Sequence, residues 1–278
     1  MTSMNVYWLE QTEADLPSDN EWLGVDETVR LSAMRFPKRR DDWRLGRWVA
    51  KRALSLTMDL PTHPRILKKT MKRIEIRAAP SGAPEVFFDE QPAAVTISLS
   101  HRAGIAACAV AMSRVAVGCD LEMAEPRSAA FVADYFTLEE QALIAHAPAA
   151  DQPRLVALLW SGKESALKAL REGLRLDTRT VIVIPCSASL DLKGWSELRV
   201  RYTGERSAAN RSATDRSTAD RATGDRLAED RYAGDRIFHG WWQHSDGMVR
   251  TIVAAPPPDP PIRLRIPVQF PDVASLCA

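Results

Sequence analysis

The sequence lacks the cysteine and histidine patterns of a structural zinc site. Its four cysteines never occur as a Cys-x-x-Cys pair, and its five histidines are scattered along 278 residues, so we expect reduced thiols. The start of the chain has no basic segment followed by an apolar run. The longest apolar run, 103–113, is far shorter than the roughly 20 residues of a membrane helix. These absences favour a soluble, cytoplasmic protein with no membrane partner.

The chain also lacks an excess of charge of one sign, since 37 Lys and Arg residues balance 36 Asp and Glu residues. The two signs of charge are not evenly distributed along the chain. Residues 30–77 carry 15 Lys and Arg against four acids, a net charge of +11. Within them, DDWRLGRWVAKRALSLTM has apolar residues at helical spacing, with Arg44, Arg47 and Lys51 on another face. This pattern predicts a basic amphipathic helix, N-capped by Asp41 or Asp42, that faces an anion.

Short strands bounded by turn residues are predicted after this helix, at 73–77, 86–88, 95–100, 105–112 and 115–123. The last strand alternates with period two, so Asp120 and Glu122 share one face. Thr137-Leu-Glu-Glu140 has the pattern of a capping box, which predicts the start of a helix. A second helix is predicted from about Pro153 to Arg171. Further strands are predicted at 180–184, 198–202, 237–243 and 248–254.

A five-residue unit repeats between Glu205 and Arg236, each copy ending in an acid or Asn followed by Arg. Its period matches neither a helix nor a strand, and it has almost no large apolar residue that could offset the entropy of ordering. We expect a flexible insertion that interrupts a sheet, because a hairpin is predicted directly after it. Residues 255–278 are rich in proline and predict an extended tail.

Three carboxylates are the candidates for chemistry. Asp120 and Glu122 lie on one strand face, while Glu164 lies on the second helix, where Trp160, Glu164 and Lys168 recur every four residues. Proteins hold Mg²⁺ through one or two carboxylates together with phosphate oxygens, so acids facing a basic helix favour a diphosphate ligand. Each part alone has an ordinary alternative, since Asp-x-Glu can be a solvated strand face and Glu164–Lys168 a helix ion pair.

Three motifs follow one another along the chain. They are Ser100-His101, Gly118-Cys-Asp120-Leu-Glu122 and Trp160-Ser-Gly-Lys163-Glu164-Ser-Ala-Leu-Lys168. In this order they resemble the Sfp-type 4'-phosphopantetheinyl transferase superfamily. The upstream segment 39–51 is similar to the basic helix of that family, and Gly173-Leu-Arg-Leu to the segment after the last motif. The resemblance covers about residues 30–184.

The resemblance implies transfer of 4'-phosphopantetheine from coenzyme A (CoA) to a serine of an acyl or peptidyl carrier protein, with release of adenosine 3',5'-bisphosphate. It assigns Mg²⁺ to Asp120, Glu122 and Glu164. It further implies that Glu164 takes the serine proton as general base and that Lys168 steadies the diphosphate. Ser100 and His101 would contact CoA phosphates, His101 as part of the catalytic set. The candidates for its 3'-phosphate are Arg40, Arg47 and Lys51.

The same resemblance implies an α+β fold of two pseudo-symmetric halves, each a small antiparallel sheet packed with a long helix. The expected division is 1–113 for the CoA-binding half, 114–254 for the carboxylate half with its insertion at 205–236, and 255–278 for the tail. The site would lie in the cleft between the halves. A monomer is expected, because the two halves of one chain build that cleft.

One departure from the family is visible, since many relatives have Gly-Lys-Pro where this chain has Gly82-Ala83-Pro84. A cation near the nucleotide is therefore missing at position 83.

Two other classes of function compete with this interpretation. The basic segment with Trp43 and Trp48 could be a nucleic-acid surface, but no helix-turn-helix, zinc-finger or RNA-recognition signature accompanies it, and we expect no nucleic-acid partner. The protein could instead bind CoA without catalysis or hydrolyse a diphosphate. A P-loop is not supported, because Ala157 stands where its first glycine is needed. The sequence leaves open whether fatty-acid, polyketide or nonribosomal peptide synthesis is served.

Overall fold

The computed structural model describes residues 4–186, 194–204 and 236–266. The repeat predicted to be a flexible insertion lies outside the described residues, apart from Arg236, which begins a strand. The α-helices are α1 (Val25–Ser32), α2 (Pro37–Thr57), α3 (Pro64–Lys72), α4 (Ala129–Tyr135), α5 (Leu138–His146) and α6 (Gln152–Ala169). The first six strands are β1 (Val6–Thr12), β2 (Ile74–Ala78), β3 (Pro84–Phe88), β4 (Gln91–Pro92), β5 (Thr96–Arg102) and β6 (Ile105–Ala111). The remaining strands are β7 (Ala116–Met123), β8 (Val181–Pro185), β9 (Ser196–Tyr202), β10 (Arg236–Ser245), β11 (Met248–Ala255) and β12 (Ile262–Arg263).

These elements form the expected mixed α+β fold, arranged in four layers. The first sheet has the strand order β12-β1-β6-β5, and the second has the order β7-β11-β10-β9-β8. Helix α2 packs on the outer face of the first sheet, and α6 packs on the outer face of the second. The two inner faces pack against each other through Val6, Trp8 and small residues of β6. A third sheet, β2-β3-β4, extends the α2 side.

Alternation of side chains assigns each strand residue to one of these layers. In β6, Ala106 and Cys108 face α2, whereas Ala107 and Ala109 face the second sheet. Alanine at the sheet-to-sheet interface leaves room for the larger Trp8 and Ile252. The period-two pattern of the sequence thus fixes which face of each sheet is covered by a helix.

The basic helix begins earlier than the sequence analysis expected, and the predicted N-cap at Asp41 or Asp42 is wrong. Helix α2 starts at Pro37, and its N-cap is Phe36 in an extended conformation. Proline is favoured in the first turn because its fixed φ suits the helix and its missing N–H has no partner to lose there. The predicted capping box at Thr137 is confirmed, with Glu140 N donating to Thr137 Oγ1 at 3.2 Å.

The hairpin predicted after the repeat is confirmed as β10 and β11, which pair antiparallel from His239↔Ala254 to Ser245↔Met248. Strand β1 and helices α1, α3 and α4 were not predicted. The described part of the proline-rich tail returns to the first sheet, where β12 pairs parallel with β1. None of the helices in the described parts of the chain has the length and apolar character that spanning a membrane requires.

Lys163, inside the third sequence motif, is a buried structural residue. Its ammonium donates to Glu140 at 2.7 Å and to the Thr178 carbonyl at 3.0 Å, and its side chain is 0% exposed. Burial lowers the pKa of Lys163, while the charge of Glu140 acts against that shift. The pair ties α6 to α5 beneath the second sheet.

Lys163→Met is expected to lower the free energy of unfolding by about 3–5 kcal/mol, because it leaves the Glu140 carboxylate buried without its cation. Urea unfolding followed by circular dichroism measures this change. The matched control is Lys69→Met at an exposed position, which should change stability by less than about 0.5 kcal/mol. A loss below about 1 kcal/mol for Lys163→Met would show that the pair is not structural.

The ends of the repeat segment lie next to each other, because Tyr202 of β9 pairs with Arg236 of β10. Deleting 205–235 and joining Gly204 to Arg236 through an Asn-Gly turn should therefore keep soluble expression and the thermal unfolding midpoint. Differential scanning calorimetry of the shortened and full chains makes the comparison. Insoluble expression of the shortened chain would show that the repeat is part of the folded core.

Candidate active site

Helix α6 touches strand β7 at Gly118, and this contact builds the site. A Cβ at Gly118 would lie 1.8 Å from the Ser165 carbonyl oxygen, so only glycine allows this approach. The helix is also tied to β11, since the Ser161 and Ser165 hydroxyls bond Thr251 Oγ1 at 2.8 and 2.7 Å. Because Gly118, Asp120 and Glu122 share a face, both acids lie on the side of β7 that α6 covers.

Asp120 is almost fully buried and is fixed through one of its two oxygens. Its Oδ1 accepts from Ser100 Oγ at 2.8 Å and from Lys168 Nζ at 2.7 Å. Lys168 Nζ also donates to the Cys119 carbonyl at 3.1 Å. The second oxygen, Oδ2, is buried with no hydrogen-bond partner. A buried carboxylate oxygen without a partner is costly unless a cation or donor completes it.

Glu122 has partners of opposite charge. Arg127 Nη2 donates to it at 2.9 Å, and Arg102 Nε lies 3.6 Å from it. Burial raises the pKa of Glu122, and the Asp120 charge raises it further, while the two arginines and a hydrogen bond from Trp160 act in the opposite direction. The negative charge of Asp120 is therefore close enough to disfavour ionisation of the Glu122 carboxyl group.

Glu164 completes the acidic set from the helix. Burial raises its pKa, the Lys168 charge lowers it, and the charges of Asp120 and Glu122 raise it. Within the described parts of the chain, no hydrogen bond reaches the Glu164 carboxylate. For Lys168, burial acts to lower the pKa, but Asp120 and Glu164 outweigh it and the pKa is raised. The three acids and Lys168 thus form one coupled group of charges.

The donor set fits a hard cation that is shared with a phosphate ligand. Among the described residues, no group of three ligating side chains could hold a metal ion unaided. Two carboxylates have oxygens without a hydrogen-bond partner among the described residues. These oxygens are Asp120 Oδ2 and the oxygens of Glu164. Two carboxylates are the usual protein share of a Mg²⁺ site whose other ligands are phosphate oxygens and water.

A cleft of about 910 Å³ opens beside this group, between the first and third sheets on one side and β7 with the end of α6 on the other. Lys168 lines the cleft, and its ammonium group donates a hydrogen bond to Asp120. The cleft is therefore adjacent to the acidic residues. The cleft is rich in arginine, at positions Arg30, Arg47, Arg77, Arg114, Arg171 and Arg236. Glu85 is the acid in its wall. The volume and charge suit a polyanionic ligand of cofactor size.

A family model for the 4'-phosphopantetheinyl transferase superfamily matches residues 116–219. The chain carries a 4'-phosphopantetheinyl transferase superfamily domain. The matched residues include Asp120, Glu122, Glu164 and Lys168. The match supports phosphopantetheine transfer as the general class of activity. Proteins of this superfamily use CoA, act on carrier protein domains and typically require Mg²⁺. No curated protein matches the chain.

Of the three residues predicted to bind the 3'-phosphate, Arg47 is the one that lines the cleft. It is 9% exposed, its Nε has no hydrogen-bond partner, and its nearest acid is Glu27 at 3.7 Å. Burial lowers the pKa of Arg47 to about 10, with Glu27 opposing the shift and the like charge of Arg30 adding to it. Glu27 also pairs with Lys51. One carboxylate therefore faces more than one cation, and the surplus positive charge points to an anionic ligand.

The other predicted CoA residues lie elsewhere. Lys51 is 0% exposed, bonded to Glu27 and to the Trp22 carbonyl, and outside the cleft wall. Arg40 is exposed on α2 and also outside that wall. His101 is exposed, with Nε2 3.7 Å from Asp42. The roles proposed for these residues stay predictions.

Ser100 has a role that sequence reasoning missed. Its hydroxyl donates to Asp120 and accepts from the Leu121 amide at 3.2 Å, so it positions the acidic strand. Sequence reasoning also missed Arg30, Arg102 and Arg127. The signal available for Arg102 was its position directly after the Ser-His motif, and for Arg127 its position five residues after Glu122.

Ser100→Ala should lower the free energy of unfolding by about 1–3 kcal/mol, because the Leu121 amide loses its buried acceptor. Chemical denaturation of the full chain measures this change. Ser113→Ala, at an exposed position before β7, is the matched control and should have no effect beyond about 0.5 kcal/mol. Equal stability of Ser100→Ala and wild type would contradict the positioning role.

Proposed function

We propose that this protein transfers 4'-phosphopantetheine from CoA to a serine of an apo acyl or peptidyl carrier protein, in a Mg²⁺-dependent reaction. The products are the holo carrier protein and adenosine 3',5'-bisphosphate. This is holo-[acyl-carrier-protein] synthase activity. The observation that carries the proposal is the junction of the buried Asp120–Lys168 pair with an arginine-rich cleft of about 910 Å³.

Asp120, Glu122 and Glu164 are the residues proposed to hold the cation. Among the described residues, Asp120 Oδ2 and the Glu164 carboxylate accept no hydrogen bond, which supports this assignment. When bound, Mg²⁺ supplies a Lewis acid that offsets negative charge on the non-bridging oxygens of the diphosphate. Lys168, held at 2.7 Å from Asp120, supplies a second positive charge at the same end of the cleft.

Glu164 is proposed to accept the proton of the carrier serine, directly or through a water molecule. Burial and two neighbouring acids raise its pKa, which makes its carboxylate a better proton acceptor than a solvated glutamate. The serine oxygen then attacks the β-phosphorus of CoA, forming one P–O bond as the bond to the leaving adenosine 3',5'-bisphosphate breaks. Lys168 stabilises the charge that develops on that leaving group.

The 3'-phosphate of CoA is proposed to bind near Arg47 and Arg30 in the wall of the cleft. The surplus positive charge around Arg47 supports this placement, and Ala83 in the same wall provides no cation. Ser100, His101, Arg40 and Lys51 remain proposed CoA contacts from the family resemblance. We further propose a monomeric, cytoplasmic enzyme that acts on carrier proteins and on neither nucleic acid nor membranes.

Asp120→Asn and Glu164→Gln are each expected to lower the transfer rate by roughly 10²- to 10⁴-fold, because each removes a proposed ligand of the cation. Glu164→Gln should keep the fold because it relieves repulsion among the acids, whereas Asp120→Asn leaves Lys168 with Glu164 as its remaining acid. The assay incubates the protein with CoA, Mg²⁺ and apo carrier proteins, and follows the phosphopantetheine mass gain by mass spectrometry. Glu197→Gln, an exposed carboxylate on β9, is the matched control. Wild-type rates in either variant would remove the proposed cation site.

Arg47→Gln should raise the KM for CoA about tenfold or more and leave the KM for 3'-dephospho-CoA unchanged, since only CoA presents the phosphate that Arg47 would bind. Steady-state kinetics with both substrates measures the two values. The control is Arg39→Gln, exposed on the same helix. An equal rise for both substrates would show that Arg47 does not read the 3'-phosphate.

A further inference from the structure

Glu122 differs from the other two acids of the site because its carboxylate is already occupied. Arg127 donates to it at 2.9 Å, Arg102 Nε lies at 3.6 Å, and Trp160 adds a hydrogen bond. By contrast, Asp120 Oδ2 has no hydrogen-bond partner, and Glu164 accepts no hydrogen bond within the described residues. A cation that uses all three acids would therefore have to displace a guanidinium from Glu122.

The two arginines have a second acid within reach. Arg102 Nη2 donates to Glu125 at 2.7 Å, and Arg127 Nη2 lies 3.6 Å from the same carboxylate. We call these four residues, Arg102, Glu122, Glu125 and Arg127, the arginine clamp. The Glu125 side chain is half exposed, whereas that of Glu122 is only 12% exposed. Arg127 therefore has one solvated and one mostly buried carboxylate within reach.

This geometry makes an exchange feasible. Arg127 stacks over Phe131, with its guanidinium carbon 5.3 Å from the ring centroid. The same Nη2 atom lies 2.9 Å from Glu122 and 3.6 Å from Glu125, so a small movement of the guanidinium changes its partner. A swing from Glu122 to Glu125 leaves no charge unpaired, which avoids the cost of a broken buried ion pair. Arg102 already bonds Glu125 more closely than Glu122, so Arg127 is the stronger holder of Glu122.

We infer that Arg127 occupies Glu122 in the metal-free protein, competes with the divalent cation for that carboxylate, and moves to Glu125 when the cation binds. The inference rests on the proposed function, since it assumes that Glu122 is a cation ligand. Arg127 is thus a positioning residue that sets the affinity of the site for its metal. Its charge also offsets the repulsion among Asp120, Glu122 and Glu164 before the metal arrives.

Titration calorimetry with Mn²⁺ as the probe measures this competition on the full chain. Arg127→Gln is expected to bind Mn²⁺ about two- to fivefold more tightly than wild type, within the range expected for losing a partly exposed ion pair. In the Glu122→Gln background, Arg127→Gln should leave Mn²⁺ affinity unchanged, because the shared carboxylate is gone. The matched control is Arg179→Gln, an exposed arginine paired with Asp177, which should bind Mn²⁺ like wild type.

Unchanged or weaker Mn²⁺ binding by Arg127→Gln would overturn the inference. Glu125→Gln provides a second test that leaves Arg127 in place, and it should weaken Mn²⁺ binding because the displaced guanidinium loses its new partner. Stronger or equal binding by Glu125→Gln would also overturn the exchange. If wild type neither binds Mn²⁺ nor modifies a carrier protein, the proposed function fails. If wild type does both and the variants do not differ, only the clamp fails.

Discussion

The contact of α6 with β7 at Gly118 is the constraint on which the site depends. Because no Cβ intervenes, the helix backbone lies directly on the strand, and Glu164 and Lys168 lie beside Asp120 and Glu122. An alanine Cβ there would lie 1.8 Å from the Ser165 carbonyl oxygen, so the helix would have to move away from the strand. The buried Asp120–Lys168 pair follows from that closeness, as do the effects of the Lys168, Asp120 and Glu122 charges on the pKa of Glu164.

Charge is distributed unevenly around this contact. Two of the buried cations have a dedicated acid, since Lys163 pairs with Glu140 and Arg250 pairs with Glu10. The cleft is different, since Arg47 shares Glu27 with Lys51 and has an unpartnered Nε. An excess of buried positive charge is unfavourable in a protein without a ligand and favourable once a polyanion binds. This contrast separates cations that stabilise the fold from those available for an anionic ligand.

Sequence reasoning predicted the elements that carry strong periodicity or capping signals. The alternation in β7 placed Asp120 and Glu122 on one face, and the spacing in α6 placed Glu164 and Lys168 on one stripe. It failed for the basic residues of α2, because α1 was not predicted and α1 supplies Glu27, which buries Lys51. The pairing of Arg102 with Glu122 could not be predicted from the sequence either, because it depends on how β5 packs against β7.

A crystal structure of the full chain with CoA and Mn²⁺, phased on the manganese anomalous signal, tests the central claim most directly. The account predicts a manganese peak about 2.1–2.2 Å from Asp120 Oδ2 and a Glu164 oxygen, with the CoA diphosphate on the metal and beside Lys168. Manganese elsewhere, or a diphosphate bound away from Lys168, would contradict it.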